Sequence, residues 1–178
     1  CQRLKVDGGG LCVNGVLVNT SGASAATNST LGTVYAYTGG QANSNLGCLS
    51  GNNTMSGCNN FASGCFALVT NTSGNHNFAQ GYSALRSNTT GSSNFAQGYK
   101  ALCNNTTGGS NIAIGCFALR CNLTGSNNIA LGLCALGTNV SGYANTAIGY
   151  QTLRNNTGGN HNIAQGYYSM LSNTIGSH

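Results

Sequence analysis

From Asn60 to His178 the apolar and polar positions of the chain recur every 17 residues, seven times over. The copies begin at Asn60, Asn77, Asn94, Asn111, Asn128, Asn145 and Asn162 and read N-[FI]-A-x-G-[YC]-x-A-L-x-x-N-T-[TS]-G-x-x. A fixed period without insertions or deletions is the mark of a solenoid, in which each repeat buries its apolar face only against its neighbours. Seventeen residues are too few for a helical hairpin. Positions 2 to 6 alternate bulky and small, as in Phe78-Ala-Gln-Gly-Tyr82, which predicts a strand. Positions 7 to 11 predict a second strand with the Leu of position 9 facing inward. Asn-Thr-Thr-Gly at positions 12 to 15 predicts a turn, because Asn tolerates and Gly favours positive φ.

The pattern therefore predicts an all-β fold, a parallel β-solenoid or β-roll with about 17 residues per coil. Seven regular rungs stacked about 4.8 Å apart make a rod of roughly 33 Å. Residues 43–178 form the repeat region, in which 43–59 are a worn copy with Asn45 in place of Ala and Gly51 in place of Leu. Residues 1–42 read as an N-terminal arm, with strands over Cys12–Asn19 and Thr33–Thr38 and a degenerate rung over 26–42. The invariant Ala and Gly require something to pack very close, either the opposite wall of the coil or a neighbouring chain. The bulky residues of position 2 fit the core or a contact between protomers equally well. Identical residues stack into ladders, and Asn60, Asn77, Asn94, Asn111, Asn128, Asn145 and Asn162 are placed to pass amide hydrogen bonds from rung to rung.

The run Asn145-Thr-Ala-Ile-Gly-Tyr-Gln-Thr-Leu-Arg-Asn-Asn-Thr-Gly-Gly resembles the β-roll repeats of trimeric autotransporter adhesin heads. It also resembles the N-T-A-I-G-Y-x-A-L repeats of tail-fibre-like and surface proteins of bacteria, phages and large viruses. The resemblance covers residues 43–178 and implies a fibrous, surface-exposed role rather than a chemistry.

Composition narrows the function classes. Asp7 is the sole acid, against Arg3, Lys5, Arg86, Lys100, Arg120 and Arg154. With one acid and three histidines, all at position 17 of their repeats (His76, His161, His178), no general acid–base pair or Ser-His-Asp set can be assembled. The chain reads as a non-enzyme with no cofactor and no resident metal. The bases are few and lack the footprint of a nucleic-acid binder. No apolar run is long enough to span a membrane.

Nine cysteines and repeated Asn-x-Ser/Thr predict an oxidising setting, extracellular or at a cell or virion surface. Neighbouring-rung phases pair Cys48 with Cys65, Cys103 with Cys121 and Cys116 with Cys134 as disulfide candidates, leaving Cys1, Cys12 and Cys58. Position 12 supplies the sequons of Asn71, Asn88, Asn105, Asn122 and Asn139, a predicted stripe of N-linked glycans. Asn19, Asn28, Asn52, Asn104 and Asn155 are further matches. The last copy ends at its seventeenth position without a polar cap, which favours head-to-tail stacking of copies into a filament. The alternatives are a closed trimer forming an adhesin or tail-fibre shaft, and an ice-binding solenoid with Thr rows.

Overall fold

The computed structural model describes residues 41–47, 49–51 and 55–177, together with short strands nearer the N-terminus. Those strands are β1 (Lys5–Asp7), β2 (Gly10–Val13), β3 (Val16–Val18), β4 (Thr33–Val34), β5 (Tyr37–Thr38) and β6 (Gln41–Ala42). The repeat region adds β7 (Ser44–Leu46), β8 (Phe61–Ser63), β9 (Phe78–Gln80), β10 (Phe95–Gln97), β11 (Ile112–Ile114), β12 (Ile129–Leu131), β13 (Thr146–Ile148) and β14 (Ile163–Gln165).

Strands β7 to β14 form one parallel sheet in sequence order. Register is in phase with the repeat: Phe78 pairs with Phe95, Ala79 with Ala96, and Gln80 with Gln97. The chain is a β-solenoid of about seven turns, and the described residues include no helix. Strand β4 lies antiparallel on β7, so parallel stacking ends at the rung that starts at Asn43, in place of the degenerate rung expected over 26–42. The run read as one strand over 12–19 is divided between β2 and β3, which pair antiparallel with Val13 opposite Val16. Asn14-Gly15 between them is the two-residue hairpin signal.

Each coil contains one strand of three residues, not two strands. The expected second strand is replaced by a turn because positions 7 and 9 are both left-handed. Lys100 has φ 55° and Leu102 φ 50°, and the same values recur in rung after rung. A left-handed Leu costs about 1–2 kcal/mol, whereas burying its side chain contributes about 1.5–3 kcal/mol. Leu102 is completely buried, and its N–H still donates to the Ala118 carbonyl of the next rung at 3.0 Å. Burial wins, and the inward-facing Leu carries the turn.

The core is thin. The Ala of position 3 meets the Ala of position 8 and the Leu of position 9, as in Ala96, Ala101 and Leu102, and these form one continuous cluster along the rod. The close-packed partner of the small face is thus the opposite wall of the same coil. The bulky residues of positions 2 and 4 point outward, with Ile112, Ile114 and Ile148 exposed. The worn rung keeps the volume of the core by exchange. A Cβ at Gly51 (φ 68°) would collide with the Asn45 side chain, which occupies the space that Leu fills elsewhere.

Candidate functional surfaces

The two Asn ladders join rung to rung. In the coil that begins at Asn94, the Asn94 amide donates to Asn77 Oδ1 (3.2 Å) and to the Gly108 carbonyl (2.9 Å). Asn77 Oδ1 also accepts the Asn94 backbone N–H at 3.1 Å. From position 12, Asn105 donates to Asn88 Oδ1 (2.8 Å) and to the same Gly108 carbonyl (2.9 Å). One glycine carbonyl therefore clasps both ladders. All these asparagines are buried, and a buried amide left unpaired would cost about 1–3 kcal/mol. Glycine at position 15 is required by contact: a Cβ on Gly108 would overlap the Gly125 carbonyl of the next rung.

The ladders have a direction. Every inter-rung amide bond of both columns runs from Nδ2 of the later rung to Oδ1 of the earlier one. Within the two columns each rung thus offers Oδ1 acceptors to the following rung and Nδ2 donors to the preceding one, while the backbone bonds between rungs run both ways. Unlike sides continue both columns by simple translation; like sides would not.

The same bonds close off the predicted glycan stripe. Asn71, Asn88, Asn105, Asn122 and Asn139 are fully buried, with their amides bonded to the glycine of their own coil. An N-linked sugar at position 12 has no room in the folded coil. Asn104 and Asn155, one position earlier, are exposed, and no described residue engages their side-chain amides. Asn19, Asn28 and Asn52 lie outside the described residues.

Among the cysteines, Cys58, Cys65, Cys103, Cys116, Cys121 and Cys134 stand as free thiols. Neither Cys103–Cys121 nor Cys116–Cys134 is bonded in this structure. Cys1 and Cys48 lie outside the described residues, and only the backbone of Cys12 is described, in β2. The N–H of Cys134 donates to the carbonyl of Cys116 at 2.9 Å, so the two residues are direct neighbours on adjacent rungs. Tyr99–Phe117 and Tyr150–Tyr168 occupy the same two phases, with ring centroids 5.3 and 5.4 Å apart. Side chains at these phases therefore face one another. Cys103 is buried, and burial pushes its thiol up from the ordinary value against the downward pull of Arg86, Lys100 and Arg120.

Aromatic rings stack along the outside of the rod, and some of them lie against cations. Phe61, Phe78 and Phe95 stack along position 2 at 4.8 and 4.6 Å. Tyr82 and Tyr99 stack along position 6 at 5.4 Å, with Phe66 and Phe117 edge-on to them. The Arg86 guanidinium lies 5.9 Å from the Phe66 ring, Lys100 Nζ 5.3 Å from Tyr99, and the Arg120 guanidinium 5.3 Å from Phe117. Arg154 instead donates to Gln151 Oε1 at 3.0 Å. Reading the sequence by repeat phase finds the arginines of position 10 but misses this bracing. Its signal is local: position 7 carries Phe117 or Gln151 three residues before Arg120 or Arg154.

The remaining candidates come apart. His76 and His161 are exposed and on separate rungs, His161 edge-on to Tyr143 at 5.0 Å, and His178 lies outside the described residues. The described residues hold no group of three or more His, Cys, Asp or Glu side chains that could bind a metal ion, and no helix long and apolar enough to cross a membrane. The Thr hydroxyls of position 13 turn into the stack: Thr72 donates to the Thr89 carbonyl at 2.9 Å and Thr89 to that of Thr106 at 3.0 Å. No family model matches the chain, and no curated protein or solved structure does either.

Proposed function

We propose that this protein is a non-enzymatic structural subunit whose rods add to one another end to end, at a cell or virion surface or in the extracellular space. The observation that carries this reading is the polarity of the Asn ladders. A rung is complementary to the next by translation; because β4 lies antiparallel on the outer edge of β7, the same contact would join two copies once β4 is displaced from that edge. Such a heterologous contact does not close on itself and propagates into a filament. In the opposite pairing, like side to like side, the two columns would set Nδ2 against Nδ2 or Oδ1 against Oδ1.

Two covalent additions belong to this reading. Oxidation of Cys116 and Cys134 would staple adjacent rungs, and N-linked glycans would attach at Asn104 and Asn155. Peptide mapping of secreted protein under non-reducing conditions, before and after enzymatic deglycosylation, tests both. A Cys116–Cys134 peptide and mass shifts at Asn104 and Asn155, with none at a position-12 Asn, are expected. Free thiols throughout, or sugar at a position-12 Asn, would sink them.

Negative-stain imaging and sedimentation of the reduced and oxidised protein over a concentration series test the assembly. Unbranched filaments that lengthen with concentration are expected. A single small species at every concentration would end the proposal.

A second reading has its own observation. Ile112, Ile114 and Ile148 leave an exposed apolar strip on the outer face of the sheet. Burial of that strip between parallel rods would give a closed bundle, such as the trimeric shaft of an adhesin or tail fibre. Light scattering separates the readings, because a bundle has a fixed small stoichiometry.

A further inference from the structure

Four cations occupy the coils, and no acid does, since Asp7 lies in β1. Arg86, Arg120 and Arg154 share position 10 on alternate rungs, and Lys100 stands at position 7 of the rung between the first two. Two rungs separate successive arginines, which sets them roughly 10 Å apart along the rod. Arg86, Arg120 and Arg154 are exposed and Lys100 half-buried.

No described residue neutralises any of the four, yet none hangs loose. Arg86, Lys100 and Arg120 lie over the rings of Phe66, Tyr99 and Phe117, and Arg154 is held by Gln151. The charges of Arg86, Lys100 and Arg120 all act on the thiol of Cys103, which lies at position 10 of the intervening rung. The shared position 10 is what sets Arg86, Arg120 and Arg154 on one line along the rod. Holding an arginine in place beforehand reduces the side-chain entropy lost when it pairs with an anion.

We propose that this column is a binding site for a linear acidic polysaccharide laid along the rod. The ligand it fits is an extended chain whose carboxylate or sulfate groups recur at roughly the two-rung spacing of the arginines. The guanidinium groups pair with those oxygens as charge-assisted, bidentate donors. A single-stranded nucleic acid fits less well. Binding its bases requires open ring faces, and here the rings are engaged with one another: Tyr82 stacks on Tyr99, and Phe66 and Phe117 meet them edge-on. The site goes beyond the structural role and stands whether or not the rods polymerise.

The test uses the full chain and fluorescently labelled heparin oligosaccharides, with neutral dextran and single-stranded DNA of matched charge as comparators. Binding is read by anisotropy over a salt series. The expected result is saturable heparin binding that is weaker for DNA and absent for dextran. The R86Q/R120Q/R154Q variant should bind at least about tenfold more weakly, and its log–log salt slope should fall by about 2–3, the counterions of three lost contacts. Thermal melting checks that the variant folds. A second variant restores the charge elsewhere by adding Ser93→Lys, Ser110→Lys and Asn127→Lys to the triple change. Those exposed residues sit at position 17, seven positions further round the coil. Binding should stay lost. The site is refuted if heparin does not bind, if the triple variant binds like the parent, if the displaced charges restore binding, or if DNA binds more tightly than heparin.

Discussion

Asn45 and Gly51 show how one rung departs from the consensus without losing its core. Leucine at position 9 would overlap the Asn45 side chain, so the two departures depend on each other. The exchange carries a cost. Asn45 Oδ1 is the one buried side-chain oxygen or nitrogen among the described residues without a hydrogen-bond partner. Gly51→Leu alone is expected to destabilise by overpacking, by about 1–3 kcal/mol. Asn45→Ala with Gly51→Leu restores the regular pair, removes the orphaned oxygen and buries a leucine, for an expected net gain of about 2 kcal/mol. A double-mutant cycle measured by chemical denaturation checks the sign of both effects. Additive effects of the two single changes would contradict the exchange.

The neighbouring asparagines Asn104 and Asn105 make the same point by contrast. Asn105→Ala leaves Asn88 Oδ1 without its donor and opens a void, with an expected loss of about 1–3 kcal/mol. Asn104→Ala touches an exposed side chain and should stay within about 0.5 kcal/mol. Denaturant midpoints for the two variants check this. Equal effects would mean that the position-12 ladder contributes nothing special. The sequence repeats both residue types conspicuously, but only the hydrogen bonds tell the structural amide from the accessible one. The Asn104-Asn105-Thr106-Thr107 run reads as two overlapping sequons until burial separates them.

At the scale of the element, the strand was legible and the turn that follows it was not. Period-two alternation locates β8 to β14, because Ala on one side and bulky residues on the other is what a short strand over a thin core requires. Positions 7 to 11 carry the apolar content of a strand, and nothing in residue type announces a left-handed leucine, since the cost is offset by burial inside the coil. Gly98 at position 5 is the element's strictest requirement. It has φ 138°, and a Cβ would stand 2.5 Å from the Gly115 carbonyl. Gly98→Ala is therefore expected to lower the melting temperature by several degrees, since a strained φ and a steric overlap each cost of order 1 kcal/mol or more. An unchanged melting temperature would show that adjacent rungs can part there without penalty. The cation column was half legible: repeat phase aligns Arg86, Arg120 and Arg154, and Phe117 stands three residues before Arg120 in sequence, while the Phe66 ring that braces Arg86 comes from the preceding rung and appears only once the coil is wound.

At the scale of the molecule, the rod is a stack of near-identical joints. Its stability is distributed as a sum over neighbouring rungs, each joint contributing a Leu-and-Ala layer, one strand pairing and two Asn relays. The repeat period made that architecture readable before any coordinates. The polarity of the joint was not, because a ladder of asparagines in sequence has no donor and acceptor sides until the side chains are placed. That polarity is what turns a repeat protein into a candidate filament subunit: the joint that holds rung to rung is the joint that would hold copy to copy. The most direct measurement is cryo-electron microscopy of the assembled protein, with helical reconstruction across the boundary between copies. With β4 displaced from the edge of β7, the spacing of about 4.8 Å between strands is expected to continue through the boundary, with both Asn columns running on in the same direction. Assemblies in which copies meet like end to like end, or touch only through their flanks, would contradict it.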